Sequence, residues 1–422
     1  MKSSSNFNGW KITQLGNICD ISSSKRIFAS EYKTSGIPFY RGKEIIEKFN
    51  KKPISTELFI SPERFNEINN KFGVPKEGDI LLTSVGTLGI PYLVGNEDFY
   101  FKDGNLTWFK QFKSCNSRFL FFWFQSPIAK HQIETKSIGS TQKALTIDIL
   151  KSFTIHLPPI KVQNKIVAIL SSIDDKIELN NKINRNLEAQ AQAIFKSWFI
   201  DFEPFKNGKF IDSELGKIPE GWKVYRLSEL CEIITKGTTP TTLKRSFKNK
   251  GINFIKAENI SNNHLIDKTK LAFIDIQTHE LLSRSQLKPF DILFTIAGTI
   301  GRFAIVLPDI IPANTNQAIA IIRCKDIYTL LVYSMFLCGN HLTYFNSKVV
   351  QAVQANLSLS TIGSLPMLLP PKAVVERYIS IVYPLFKLTF DNSDESSHLA
   401  QLRNTLLPKL MTGKVNISDI LV

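Results

Sequence analysis

The stretch LPPIKVQNKIVAILSSIDDKIELNNKINRNLEAQAQAIFKSWF, residues 157–199, decides the fold. Apolar residues recur in it every seven positions, with a second apolar stripe between them, a pattern typical of an amphipathic helix with a coiled-coil seam. Two asparagines, Asn180 and Asn184, interrupt that seam. Pro158 and Pro159 favour a helix start, and a rod of roughly forty residues is about 60 Å long. Such a helix needs a partner helix to cover its seam.

Length and charge set the class of protein. The chain has 422 residues, more than one hydrophobic core usually holds, so two globular units with connecting helices are predicted. There are 52 Lys and Arg against 37 Asp and Glu, a formal net charge of +15. This excess favours a polyanionic partner, although a lysine-rich genome alone also produces it.

The cysteines and the apolar runs bear on the compartment. The 5 cysteines form no CxxC pair and are odd in number, which indicates reduced thiols rather than a disulfide framework or a zinc site. We see no apolar signal core and no apolar run long enough to span a bilayer. We therefore expect a cytoplasmic protein that does not bind membranes.

An internal repeat is the strongest signal in the sequence. Gly221-Trp222-Lys223 repeats Gly9-Trp10-Lys11 after 212 residues, and the same shift relates the two GTxG turns and the two LPP sequences at 157 and 369. The segment GINFIKAENI at 251 repeats GIPFYRGKEI at 36, but after 215 residues. The frame is thus repeated while some loops differ in length, as expected for two related modules that read different ligands.

Each half of the repeat divides in the same way. We predict a mixed α/β globular module at 1–157, a helical region at 158–200, a second α/β module at 201–369 and a second helical region at 370–422. The two long helices are expected to pack on each other. Residues 391–397, DNSDESS, are either an exposed polar face or a break in the second helix. The predicted seam consists of Ile166, Ile173, Asn180, Leu187, Ile194, Val375, Val382, Leu402 and Leu406.

Catalytic signatures are missing. Gly73 and Gly78 have the spacing of a phosphate-binding loop, but the Lys-Ser/Thr that must follow is absent. Glu134 and Lys136 have the spacing of a nuclease ExK motif, yet no Pro-Asp pair precedes them suitably. The LPP sequences lack the polar residue of a methyltransferase loop, and the histidines form no metal-binding pattern. We assign no catalytic residue and no metal ligand.

Basic loops near the start of each module are the candidate ligand-binding residues. Arginine, asparagine and glutamate can read base edges, whereas lysine and arginine contact phosphates. For any single lysine, an ordinary solvated side chain is the competing interpretation. The candidates for base readout, at matching places after the GIP and GIN segments, are Arg41, Lys43, Lys256, Glu258 and Asn259. The candidates for phosphate contact are Lys25, Arg26, Lys244 and Arg245.

Several segments of the sequence together carry a family resemblance. The opening GWK of each half, the DILxT…GTxG element, the LPP before each long helix, FKSWFIDFEPF at 195–205 and the closing LRNTLLPKLMTGKV resemble the specificity subunit of type I restriction-modification systems. The resemblance covers nearly the whole chain. It implies two target-recognition domains of α/β (α+β) fold, separated by two long helices that form an antiparallel coiled coil with pseudo-twofold symmetry.

The resemblance also implies a function and partners. Each domain is expected to read one half of a split double-stranded DNA target, while the helices set the gap and bind DNA methyltransferase subunits, expected to be two. S-adenosylmethionine, ATP and Mg are expected on the methyltransferase and restriction/translocase subunits, and no cofactor on this chain. Two other classes remain open, a pure assembly scaffold that reads no DNA and a single-chain nuclease or methyltransferase.

Overall fold

The computed structural model describes residues 9–55, 57–139, 142–349 and 356–415. The chain divides into two compact units, of which the first contains Met1–Ile177 and His398–Val422 and the second Glu178–Ser397. Two helices of 40 residues, α7 and α13 below, contribute residues to both units.

The first unit contains the elements of the first module. Its strands are β1 Lys11–Gln14, β2 Asp20–Ser22, β3 Ile37–Tyr40, β4 Phe59–Ile60, β5 Ile80–Thr83, β6 Pro91–Leu93, β7 Tyr100–Phe101, β8 Leu106–Lys110 and β9 Thr154–Leu157. Its short helices are α1 Leu15–Ile18, α2 Gly42–Phe49, α3 Pro62–Phe72, α4 Ser117–Gln125, α5 Pro127–Lys136 and α6 Ile147–Lys151. The long helix α7, Ile160–Phe199, follows directly after Pro159, as predicted.

The second unit repeats this arrangement. Its strands are β10 Phe210–Ser213, β11 Gly216–Pro219, β12 Lys223–Arg226, β13 Cys231–Lys236, β14 Ile252–Ile255, β15 Ala272–Ile274, β16 Ile292–Thr295, β17 Phe303–Ile305, β18 Ala313–Thr315, β19 Ile319–Cys324 and β20 Pro366–Leu369. Its short helices are α8 Leu227–Leu230, α9 Ile276–Leu281, α10 Thr329–Leu337, α11 Asn340–Val349 and α12 Leu359–Gly363. The long helix α13, Lys372–Met411, follows Pro370 and Pro371.

The sheets show the repeat more clearly than the sequence does. Each module has a four-stranded antiparallel sheet, ordered β2-β8-β5-β6 in the first and β13-β19-β16-β17 in the second. Each also has a three-stranded sheet, β4-β3-β7 or β15-β14-β18, in which the last two strands run parallel. A two-stranded antiparallel ribbon, β1-β9 or β12-β20, joins the beginning of each module to its end. The predicted fold class, two mixed α/β modules with two long helices, is therefore confirmed.

The long helices pack against each other within each unit, and they run antiparallel. In the first unit, Asp174 accepts a hydrogen bond of 2.7 Å from Arg403, and Ile166 lies in one core with Leu410. In the second unit, Asn184 donates to the carbonyl oxygen of Thr389 at 3.1 Å. Further along α7, the ring of Phe199 is 4.9 Å from that of Tyr378, near the beginning of α13.

The predicted seam residues are mostly buried. Those under one tenth exposed are Ile166, Ile173, Asn180, Leu187, Val375 and Val382. Ile194 and Leu406 are half-buried against the cores of their units. The assignment of Leu402 is wrong, because its side chain is 48% exposed, whereas Leu407, Leu410 and Met411 are buried. A straight helix drifts about 20° per heptad from a seven-residue repeat, so a seam extrapolated over several turns moves off the contact.

Residues 391–397 lie within the continuous helix α13. Their polar side chains serve the helix pair: Asn392 donates to the side chain of Asn184 at 2.9 Å, and Ser393 accepts from Asn184 at 3.0 Å. The second helix is therefore not broken at residues 391–397, and these residues form a polar layer in the seam.

Candidate nucleic-acid interface

The carboxyl ends of parallel strands meet at one edge of a sheet, and this edge collects the predicted cations of the first module. Strands β3 and β7 are parallel, with Tyr40 opposite Phe101. Arg41 follows β3, and Asp103, which follows β7, binds Nε of Arg26 at 2.9 Å. The backbone N–H of Lys25 donates to the hydroxyl of Tyr100 in β7 at 2.7 Å. Residues that lie far apart in sequence therefore share one basic edge.

The second module has the same edge with different side chains. Strands β14 and β18 are parallel, and the hydroxyl of Thr315 donates to the carbonyl oxygen of Ile255 at 2.9 Å. Lys256 follows β14, and Gln317, which follows β18, is hydrogen-bonded to Thr239 in the loop after β13. This loop lies where the loop of Lys25 and Arg26 lies in the first module.

The loop after β13 carries the phosphate candidates of the second module. Lys244 and Arg245 are exposed, and the loop turns back at Lys244, whose φ is +54°. Beyond them, the ring of Phe247 stacks edge-on against Phe254 at 5.2 Å, and Nζ of Lys256 lies 4.9 Å above the Phe247 ring. The loop is thus packed onto the same edge of the sheet as Lys256.

A capping box stands at the matching place in both modules. The backbone N–H of Arg41 donates to the carboxylate of Glu44 at 2.8 Å, and that of Lys256 donates to the side-chain oxygen of Asn259, also at 2.8 Å. Both acceptors are fully buried. The repeat therefore preserves the backbone geometry that presents the cation at the first position, while the chemistry of both residues changes.

The base-readout assignment of Asn259 is wrong for this reason. Its amide nitrogen donates to the carbonyl oxygens of Lys270 at 3.1 Å and Asp267 at 3.5 Å, and its amide oxygen accepts from Lys256. The side chain thus holds its own loop together, because the third position of a capping box points inward. Glu258 is 69% exposed and lies 3.7 Å from Lys256 Nζ, and Lys43 is also exposed.

Behind the edge of the first module lies a half-buried carboxylate, Glu97, that the sequence did not reveal. The carboxylate of Glu97 accepts from Nζ of Lys48 at 2.7 Å, and from the hydroxyls of Tyr40 and Tyr92. Burial raises the pKa of both tyrosines. Burial opposes the charge of Glu97 as well, but its hydrogen bonds outweigh this and lower its pKa. Only the fold brings together these four residues.

Glu44 was likewise missed as a functional candidate, although a signal for it exists. A capping box has Ser or Thr before the helix and Glu or Gln three positions later; the sequence RGKE has the glutamate of this pattern but an arginine in place of the Ser or Thr. Glu44 also binds the Arg41 guanidinium, with Nη2 at 2.7 Å and Nε at 3.2 Å.

Metal-binding clusters and membrane-spanning helices are absent from the part of the chain that the structure describes. Among these residues no cluster of His, Cys, Asp or Glu could hold a metal ion. No described helix is both long and apolar enough to cross a bilayer. The basic edges of the two modules hold the candidate residues that the sequence predicts.

Comparison with known proteins gives a consistent result. The chain is 28% identical over 363 residues to the type I restriction enzyme MjaIX specificity subunit of Methanocaldococcus jannaschii, covering 82% of this chain and 79% of that protein. It is 26% identical over 339 residues to the HindI specificity subunit of Haemophilus influenzae, covering 66% of this chain and 73% of the relative.

A solved structure shares the fold. The S subunit of a type I restriction-modification system from M. genitalium superposes with a TM-score of 0.60 at 17% identity, over 97% of this chain and 98% of that one. The family model described as the type I restriction modification DNA specificity domain matches twice, at residues 8–189 and 219–395. Two matches that cover most of the chain, one in each half of the repeat, establish that the protein belongs to the family of type I restriction-modification specificity subunits.

Proposed function

We propose that this chain reads a bipartite double-stranded DNA target, one half-site per module, and docks methyltransferase subunits through its long helices. In its family the specificity subunit is not catalytic, and catalysis lies on other subunits. The observation that carries the proposal is the pair of matching edges. Each module presents basic side chains on the same backbone frame, yet Arg41 and Glu44 in one are Lys256 and Asn259 in the other.

Phosphate contacts and base contacts have separate roles in this proposal. Exposed Lys25, Arg26, Lys244 and Arg245 supply affinity and register by neutralising phosphates, which carries no sequence information. Arg41, Lys43, Lys256 and Glu258 are the remaining candidates for base edges. Two modules with different edge chemistry would then select two different half-sites.

The helices are proposed to set the gap between the half-sites and to bind the methyltransferase subunits, two of them in view of the internal repeat. We further propose that S-adenosylmethionine, ATP and Mg are bound by the methyltransferase and restriction/translocase subunits. The domain bounds at 157, 200 and 369 stay predictions, as does the cytoplasmic location.

An exchange of modules tests the proposal. Residues 1–157 are replaced with the corresponding module of a specificity subunit of different target, and the complex with methyltransferase subunits is used to map methylated sites in genomic DNA. One half-site is expected to change while the other half-site stays. An unchanged target would instead support a pure scaffold. Methylation by the purified chain without partners would support the single-chain enzyme.

A further inference from the structure

The guanidinium of Arg41 is held from behind by a carboxylate that solvent does not reach. The side chain of Glu44 is 1% exposed, while that of Arg41 is 31% exposed. One carboxylate oxygen accepts from Nη2 at 2.7 Å, and the other accepts from Nε at 3.2 Å. The second oxygen also accepts from the backbone N–H of Arg41 at 2.8 Å. Two hydrogen bonds therefore fix the plane and direction of the guanidinium, and the third holds the carboxylate against the backbone of Arg41.

The electrostatics keep this pair charged. Burial by itself disfavours the carboxylate of Glu44, but the hydrogen bonds from the side chain and backbone of Arg41 outweigh it, and the pKa of Glu44 is lowered. The same hydrogen bonds raise the pKa of Arg41. The arginine is thus ordered before any ligand arrives, so binding does not have to immobilise a flexible side chain.

The pair leaves a defined set of donors for a ligand. A guanidinium has five N–H groups in a planar fork, and Glu44 takes one on Nε and one on Nη2. The two hydrogens of Nη1 and the second hydrogen of Nη2 remain at the outer end. Two parallel donors on adjacent nitrogens match two acceptors side by side, which in the DNA major groove are O6 and N7 of guanine.

We propose that Arg41 reads a guanine in the half-site of the first module, with Glu44 as the residue that positions it. This inference rests on the proposed DNA-binding function and adds the identity of one base to it. Arg41 contacts the base directly, whereas Glu44 acts through Arg41.

The second module has no arginine–carboxylate pair at the position that matches Arg41 and Glu44. Lys256 replaces the arginine, and the neutral amide of Asn259 replaces the carboxylate. Nζ of Lys256 lies above the ring of Phe247 and 3.7 Å from Glu258. A lysine ammonium is a point charge that does not impose a planar pair of hydrogen bonds. The guanine preference is therefore assigned to one half-site, and it is not a general property of the repeat.

Glu44→Gln is the direct test, because glutamine retains an acceptor for the backbone N–H but puts an amide nitrogen against the guanidinium. The full chain, in complex with methyltransferase subunits, is measured in competition binding on duplexes randomised one base pair at a time. We expect the guanine preference at one base pair of one half-site to fall roughly tenfold. Preferences elsewhere and the dependence on salt should stay unchanged, whereas the thermal unfolding temperature should fall, because the substitution puts an amide N–H against the guanidinium in a buried site. Arg41→Lys, at a part-exposed position, should weaken the guanine preference at the same base pair.

A single substitution in the second module complements the loss. Lys256→Arg, with Asn259 retained because its amide holds the loop at Lys270, supplies a guanidinium without a buried carboxylate and should not create a guanine preference equal to that of Arg41. Unchanged guanine preference in Glu44→Gln, or an equal loss at every position, would overturn the inference and leave Glu44 as a helix cap. If the wild-type complex showed no sequence preference at all, the proposed function itself would fail.

Discussion

The side-chain amide of Asn180 donates to the backbone carbonyl oxygen of Asn392 at 3.3 Å, and the two residues are 212 positions apart, the shift of the internal repeat. Residues that correspond in the two halves thus touch each other. Asn180 also donates to Ser396 at 3.3 Å, while Asn392 donates to Asn184 at 2.9 Å. These contacts exchange under the 212-residue shift, so the repeat relates the two helices to each other within this polar layer.

The pairing of Asn184 with Asn392 predicts a double-mutant result. Asn184→Leu alone removes the acceptor of the Asn392 amide, which should lower the free energy of unfolding by about 1 kcal/mol. Asn392→Leu added to it should restore that loss or more, because apolar pairs pack well in a seam. Urea unfolding of both single variants and the double variant gives the coupling energy. Additive effects would show that the two amides do not interact.

Under the proposed function, the same layer predicts an effect on the gap between the half-sites. A buried asparagine favours the helix alignment in which its amide is paired. With Asn180 and Asn184 both replaced by Leu, the Asn392 amide again loses its acceptor, so the helix pair should become less stable, and the gap between methylated half-sites should become less uniform. Methylation mapping with the variant complex measures this. A gap preference identical to that of the wild type would leave the asparagines without a role in register.

The phosphate assignment predicts a uniform loss of binding. Lys244→Ala with Arg245→Ala should weaken binding similarly on all DNA sequences, and should reduce the slope of log affinity against log salt by about two. Binding titrations at several salt concentrations measure both effects. Lys209→Ala with Lys217→Ala removes the same charge from exposed positions of the second unit and is the matched control. Loss of affinity on one target only would contradict the assignment.

The corrected seam predicts different losses of stability for alanine substitutions at two leucines of α13. Leu407 is 8% exposed in the core of the first unit, so Leu407→Ala should cost about 2–4 kcal/mol. Leu402 is 48% exposed, and Leu402→Ala should change stability by less than about 0.5 kcal/mol. Urea unfolding compares them directly, and equal costs would return Leu402 to the seam.

A buried histidine predicts that the second unit loses stability in acid. His341 is 1% exposed, and burial, with the charge of His264 contributing, lowers its pKa to about 4. The unfolded chain therefore binds more protons than the folded chain between about pH 6.5 and 4, and stability falls as pH falls through this window. The loss from pH 6.5 to 5 should be about 2 kcal/mol.

His341→Phe should remove most of this acid sensitivity, because phenylalanine does not titrate and the site is already lined by aromatic rings such as Phe336. The urea midpoint is compared at pH 7 and pH 5 for the wild type and the variant. His264, whose pKa burial also lowers, should retain a smaller share of the effect. Equal acid sensitivity in the two proteins would show that His341 does not carry it.

The fold was largely predictable because its signals are periodic or repeated. Paired prolines before an amphipathic run defined the starts of α7 and α13, and the 212-residue shift predicted two copies of one module. The candidate interface was less predictable, because residue type does not tell which way a side chain points. Asn259 has the chemistry to read a base, but the local turn directs it inward. The cluster around Glu97 depends on strand pairing, which sequence spacing alone does not determine.

The ribbon at the base of each module has a consequence for how such proteins diversify. In β1-β9, Lys11 stands opposite Leu157, and in β12-β20, Lys223 stands opposite Leu369. The first and last strands of each module therefore lie side by side in space, as the two ends of an inserted domain do. A recombination event between those ends can replace the whole recognition surface in one step, since the incoming segment has to reproduce only a short antiparallel pairing.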